Sequence, residues 1–133
     1  MTLLRSSLFA LALVLVTPPY AVLTLLTFPL PPLTRNRIIS GWSHLMVWLA
    51  RVLCGIRWRV EGLEHLPQRP AVILAKHQSA WETMAFQIIF PPQVYLLKRE
   101  LLWLPFFGWG LALTSPIAID RSRGTAALRR LVR

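Results

Sequence analysis

Acidic residues are scarce in this chain: 5 Asp and Glu stand against 15 Lys and Arg, a formal charge of +10 over 133 residues. Such an excess suits nucleic acid, an anionic lipid surface or a phosphorylated ligand. Nucleic acid is the weakest of the three, because the basic residues stand among long apolar stretches with no dense basic run. Cysteine is nearly absent as well. Cys54 alone excludes an intrachain disulfide, and its apolar, Arg-flanked setting reads as a small buried hydrophobe rather than a thiol nucleophile. One cysteine and three separated histidines, His44, His65 and His77, make no zinc pattern. Charge of either sign is missing altogether from Ser6 to Thr34.

What remains is apolar. Hydrophobic residues make up 55%, far above the content that keeps chains disordered, and the length suits one small domain. The uncharged stretch exceeds the roughly 20 residues needed to cross a bilayer. Pro18-Pro19 interrupts it and Pro29, Pro31 and Pro32 close it. Two short helices, over residues 8–16 and 21–28, fit as well as one kinked span. A cleaved signal peptide fits less well, since Thr17-Pro18-Pro19 is a poor cleavage site and the apolar run resumes after it. The expectation is an uncleaved membrane-anchor segment over residues 1–34, followed by one domain over residues 35–133.

Within that domain, residues 38–56 read as a helix with Trp42, Leu45, Met46, Leu49, Val52 and Leu53 on one side, ended by Gly55. His44 falls in this helix without ligand partners nearby. Residues 56–61 alternate apolar and charged, the pattern of a half-buried strand. Residues 71–75 are continuously apolar and rich in Val and Ile, like a buried parallel strand. A helix over residues 79–90, apolar strands at 93–97 and 116–119, a broken helix or loop at 101–113, and a basic helix from 125 to 132 complete the order. This alternation predicts an α/β fold: N-terminal membrane-associated helices, then a mixed or largely parallel sheet with helices.

The polar cluster Lys76-His77-Gln78-Ser79 with Glu82 stands at the end of the expected 71–75 strand, where ligands bind in open α/β sheets. His77 and Glu82 are five apart, roughly 140° on a continuous helix, so they cannot share a helical face. They meet if His77 lies in the loop and Glu82 in the first turn of the next helix. A carboxylate on one ring nitrogen then leaves the other free as a base. Ser79 reads as a helix cap, and no nucleophile elbow is visible. Taken alone, a loop histidine near a helix-start glutamate is weak support for an enzyme.

Residues 55–67 (Gly-Ile-Arg-Trp-Arg-Val-Glu-Gly-Leu-Glu-His-Leu-Pro), the apolar run 71–75 and Lys76-His77-Gln78-Ser79-Ala80-Trp81-Glu82-Thr83 together resemble the 1-acylglycerol-3-phosphate (lysophosphatidic acid) acyltransferases of the glycerolipid acyltransferase superfamily. That family's first block is a His followed after four residues by an acidic residue, usually Asp, and usually preceded by Asn. Here Lys76 replaces the Asn and Glu82 the Asp. Lys98-Arg99-Glu100-Leu101 with Pro105-Phe106-Phe107-Gly108-Trp109 resembles the segment after the family's second strand. Pro116-Ile117-Ala118-Ile119-Asp120-Arg121 resembles its second block.

The resemblance implies acyl transfer from a thioester to the free hydroxyl of lysophosphatidate, giving phosphatidate. His77 and Glu82 would be catalytic, and Arg121, with Lys98, would bind the substrate phosphate, a task suited to the guanidinium fork. It implies no metal and no cofactor beyond the co-substrate, acyl-coenzyme A or acyl carrier protein thioester, with the site on the cytoplasmic face of the membrane. The family's third block, Phe-Pro-Glu-Gly-Thr-Arg, and its fourth are not in these 133 residues. The expectation is therefore the N-terminal part of such an enzyme, inactive by itself. The rival readings are an acyltransferase for another lysolipid acceptor, and a non-enzymatic chain that only binds anionic membrane.

Overall fold

A computed structural model describes residues 2–90 and 92–120. Helix α1 (Thr2–Leu25) and helix α2 (Pro32–Cys54) form an antiparallel hairpin. The Sγ of Cys54 lies 3.7 Å from the Arg5 carbonyl, the Trp42 indole N–H donates to Thr17 Oγ1 at 3.2 Å, and the Tyr20 hydroxyl donates to the Ile38 carbonyl at 2.5 Å. The last two bonds bracket Pro18-Pro19. One helix therefore runs through the proline pair, where the sequence left two short helices equally open. An interior proline costs about 3 kcal/mol through a lost hydrogen bond and a ring clash, and lateral ties on both sides of the pair offset part of that cost. At about 1.5 Å per residue, α1's 24 residues reach about 36 Å, more than the ~30 Å hydrocarbon core. With a mean hydropathy of 2.1 it is long and apolar enough to cross a membrane.

The contact faces of this hairpin differ from the expected stripe. In α2 the buried positions are Asn36, Ser43, Met46, Val47 and Ala50, while Trp48 and Val52 are exposed. Met46, from the expected stripe, is fully buried, and small residues take most of the other places; at Gly41 an added Cβ would sit 2.6 Å from the Tyr20 hydroxyl oxygen. Thr24, in α1, and Thr27, in the turn after it, are also buried, and each hydroxyl bonds a carbonyl of α1, at 2.7 and 2.6 Å. Their burial thus leaves no unpaired donor. Gly55, with φ +72, ends α2 in the left-handed region that glycine adopts without penalty, as the sequence indicated. Cys54 is half-buried rather than buried, because it sits in the last turn.

Helix α3 (Ala80–Ile89) packs on α2 and buries Ala85. Strand β1 (Leu96–Lys98) pairs in parallel with β2 (Ile117–Ile119), with Leu96 opposite Ile117 and Lys98 opposite Ile119. Between them a 3₁₀ turn (Arg99–Trp103) and helix α4 (Phe107–Ala112) form the crossover that parallel strands require. Helix α4 rests on α1, and Phe107 meets Trp42 edge to face at 5.7 Å.

The described residues are thus helix-rich with a two-stranded parallel sheet; β2 lies inside a segment read as a strand from the sequence, and β1 overlaps the 93–97 segment and runs past it to Lys98. Two other expected strands do not form. Residues 56–61 and 71–75 make no ladder among the described residues, and Val72 and Leu74 are 88% and 94% exposed. A strand is held by its neighbours' hydrogen bonds and by layers covering its faces. Among the described residues neither segment has a strand beside it, and the one ring contact on them is Trp58 against Trp81. The basic helix expected at 125–132 lies outside the described residues.

Candidate active site

His77 sits in the loop before α3, and Glu82 is the third residue of that helix. Their meeting follows from this placement: the Nδ1 atom of His77 is 3.4 Å from Oε2 of Glu82. The same oxygen accepts a shorter bond, 2.8 Å, from the backbone N–H of Gln78. Glu82 therefore does what an acidic residue at the third position of a helix does well, turning back to satisfy amides that have no partner within the helix. Ser79 occupies the cap position in extended backbone but makes no side-chain cap bond. The capping assigned to Ser79 from sequence is carried by Glu82.

The Gln78 N–H holds the Glu82 carboxyl below the usual carboxylate range, with further help from the Ser79 N–H and from His77 and against a smaller opposing effect of partial burial. Because Glu82 titrates lower in the folded chain than in the unfolded chain, its contribution to stability is complete above the ordinary carboxylate pKa. That contribution is lost as pH falls through the depressed value. Wild type and Glu82→Gln are therefore expected to differ most in thermal midpoint at neutral pH and to converge in acid, as read by circular dichroism across a pH series. A gap that stays constant with pH would show that the carboxylate charge has no part in fixing the turn.

With Nδ1 turned to the carboxylate, Nε2 of His77 is the nitrogen left to act on a ligand. The imidazole is 65% exposed, so a substrate can reach it. Two residues not singled out from sequence support this turn. Trp81, just before Glu82, packs edge to face on Trp58 at 6.0 Å. Tyr95, at the start of β1, donates its hydroxyl proton to the Thr83 carbonyl at 2.6 Å and accepts a bond from Gln93 Nε2 at 3.0 Å. Burial pushes its phenol up to about 12, so it stays a donor. A tyrosine inside an apolar strand run was the available signal, since a buried phenol needs a partner.

Lys98 ends β1 and stands 3.9 Å from Glu100, both about half exposed. An exposed pair at that distance contributes about 0–1 kcal/mol, so it does not commit the ammonium. The parallel register places Lys98 beside Ile119, at the carboxyl edge of the sheet where the chain passes into Asp120. No contact joins Lys98 to the His77–Glu82 pair among the described residues. Arg121 lies outside the described residues, and no group of His, Cys, Asp and Glu that could hold a metal occurs among those described. His44 is turned to the Ser40 carbonyl at 3.0 Å, within its own helix.

A sequence model of the family described as Acyltransferase matches residues 57–133, more than half of the chain and the whole of the His77–Glu82 turn. The chain belongs to the acyltransferase family. Among curated proteins, this acyltransferase chain is 46% identical over 132 residues to a 1-acyl-sn-glycerol-3-phosphate acyltransferase of Pseudomonas aeruginosa, covering 98% of the chain and 51% of that protein. It is 31% identical over 99 residues to the enzyme of that name from Saccharomyces cerevisiae, covering 68% of the chain and 33% of the relative. To the human 1-acyl-sn-glycerol-3-phosphate acyltransferase alpha it is 37% identical over 93 residues, covering 67% and 33%. The chain thus spans about half of the length of the first of these relatives and about a third of the other two. No solved structure matches it.

Proposed function

We propose that the protein transfers an acyl group from a thioester, acyl-coenzyme A or acyl carrier protein, to the free hydroxyl of 1-acylglycerol-3-phosphate, giving phosphatidate. The single observation that carries the reading is the His77–Glu82 pair at 3.4 Å, with Nε2 left free. The three named relatives support the choice of acceptor. Nε2 takes the proton of the acceptor hydroxyl as its oxygen attacks the thioester carbonyl. The carbon–sulfur bond then breaks and the imidazolium returns the proton to the leaving thiolate. Glu82 fixes the ring and stabilises its charged form. Arg121 and Lys98 hold the acceptor's phosphate, and neither needs a metal. Helix α1 keeps the chain at the membrane, with the site on the cytoplasmic side where the thioesters are.

The acceptor is the part of this reading that a direct assay decides. The gene's full product, supplied with acyl-coenzyme A, is expected to make phosphatidate from lysophosphatidate at least tenfold faster than it acylates lysophosphatidylcholine. Lys98→Ala should narrow that preference by raising the Michaelis constant for lysophosphatidate. Equal rates on the two acceptors would replace lysophosphatidate with a broader lysolipid class. Membrane binding without turnover would leave the chain a lipid-binding protein.

A further inference from the structure

A second polar recess lies at the far end of α3 from Glu82, between α2 and the C-terminal turn of α3. It is a cavity of about 200 Å³ lined by Asn36, Arg37, Ser40 and His44 of α2 and by Gln87 and Phe90 of the α3 end. Asn36 is only 9% exposed, and its side-chain amide makes no hydrogen bond among the described residues. The Ser40 hydroxyl and His44 Nδ1 are both engaged with carbonyls of α2, at 2.5 Å to Asn36 and 3.0 Å to Ser40. The donors free to meet a ligand are thus the Asn36 and Gln87 amide N–H groups and the Arg37 guanidinium. Solvent reaches the Asn36 amide through the recess, and amide N–H groups beside an arginine offer an anion donors rather than a cation ligands.

The geometry points to a phosphate-binding site here, separate from the His77–Glu82 pair, whose ligand is the headgroup of an anionic phospholipid. The recess is smaller than the roughly 300–1,000 Å³ of pockets that enclose whole small molecules, so it takes a headgroup and leaves the acyl chains outside. Its surroundings suit those chains. Leu33, Arg37, His44 and Trp48 follow one another along α2 at helical spacing, and all four are exposed. Leu26, Phe28 and Leu30 are exposed in the turn just before α2. A basic side chain flanked by exposed aliphatic and Trp side chains is the arrangement found at headgroup level. Such a site would fix the rotation of the α1–α2 hairpin at the bilayer surface, which net charge alone cannot do.

The test is flotation of the chain with vesicles of phosphatidylcholine alone and of equimolar phosphatidylcholine and phosphatidylglycerol. Any surface arginine contributes about 1 kcal/mol to anionic-lipid binding, or about fivefold. Arg69→Gln, remote in sequence and in a loop, sets that baseline. Asn36→Leu and Gln87→Leu change no charge, so diffuse electrostatics predicts that both bind as wild type. A headgroup site predicts that each loses about tenfold of the phosphatidylglycerol-dependent binding while binding to phosphatidylcholine alone is kept. Arg37→Gln should lose clearly more than Arg69→Gln. Two leucine variants and a circular dichroism check separate this loss from misfolding. Wild-type binding by both leucine variants would overturn the site. Saturable binding of inorganic phosphate without vesicles, lost in Asn36→Leu while flotation is kept, would reassign the recess to free phosphate.

Discussion

Acyl transfer by the gene's full product is expected to fall about 10²–10⁴-fold in His77→Ala, the range associated with losing a positioned general base. The corresponding rise in barrier is about 2.7–5.5 kcal/mol. Structural loss cannot account for an effect of that size. His77 is 65% exposed, and its one recorded polar partner is Glu82, so its removal belongs with surface substitutions, typically within about 0.5 kcal/mol. Helix content and thermal midpoint should therefore barely move while turnover collapses. Glu82→Gln keeps an acceptor for the Gln78 N–H but loses the charge that stabilises the imidazolium, and a smaller loss is expected. Its effect should fall on kcat, because the glutamate touches the base and not the acceptor. Wild-type turnover by His77→Ala would remove the mechanism, and an unfolded variant would be recognised by its circular dichroism.

The largest effect on stability is expected at Gly108. A Cβ there would lie 2.9 Å from the Leu101 carbonyl oxygen and closer still to the carbonyl carbon and oxygen of Leu102. Those are backbone atoms, held by the turn that leads into α4, and they cannot rotate away. Phe106 already adopts a left-handed φ of +62 in that turn, so little freedom is left to absorb a shift. Alanine normally gains about 1 kcal/mol over glycine inside a helix. Here overpacking of about 1–3 kcal/mol or more reverses the sign. Gly110, two residues on in the same helix, provides the contrast. Its added Cβ would meet Thr24 Oγ1 at 3.5 Å, an ordinary contact. Urea unfolding should place Gly108→Ala below wild type and Gly110→Ala at or above it. The reverse order would mean that the α4 turn is not as close as described.

The elements that could be read in advance are those whose signals are local. Gly55 stops α2 by its own backbone freedom, and the Pro91-Pro92 pair lies just beyond the end of α3. The loop-then-first-turn placement that would let His77 and Glu82 meet could be named from their spacing, and it is the placement found. What could not be read depends on distant partners. Residues 71–75 carry the composition of a buried strand, but no ladder forms on them among the described residues. Of the expected stripe Met46 is fully buried, while Ser43, Val47 and Ala50 are buried in preference to Leu45, Leu49 and Val52, because α2 packs on α3 as well as on α1. Asn36 gave no sequence signal of its place beside α3, and Tyr95, a tyrosine in an apolar run, signalled a partner for its hydroxyl without saying that the partner is the Thr83 carbonyl of α3.

The bare 71–75 segment has a consequence for how the chain survives its own synthesis and handling. A short uncharged run rich in Val, Ile and Leu, with nothing paired to its backbone, is the kind of strip on which identical chains stack edge to edge. The residues around it work against that fate. Arg69 and Pro70 stand on one side and Lys76 on the other, a charge and a missing donor before the run and a second charge after it, as gatekeepers do. Lys76 then has a colloidal duty distinct from any chemistry at His77: like-charged neighbours stacked at strand spacing repel one another.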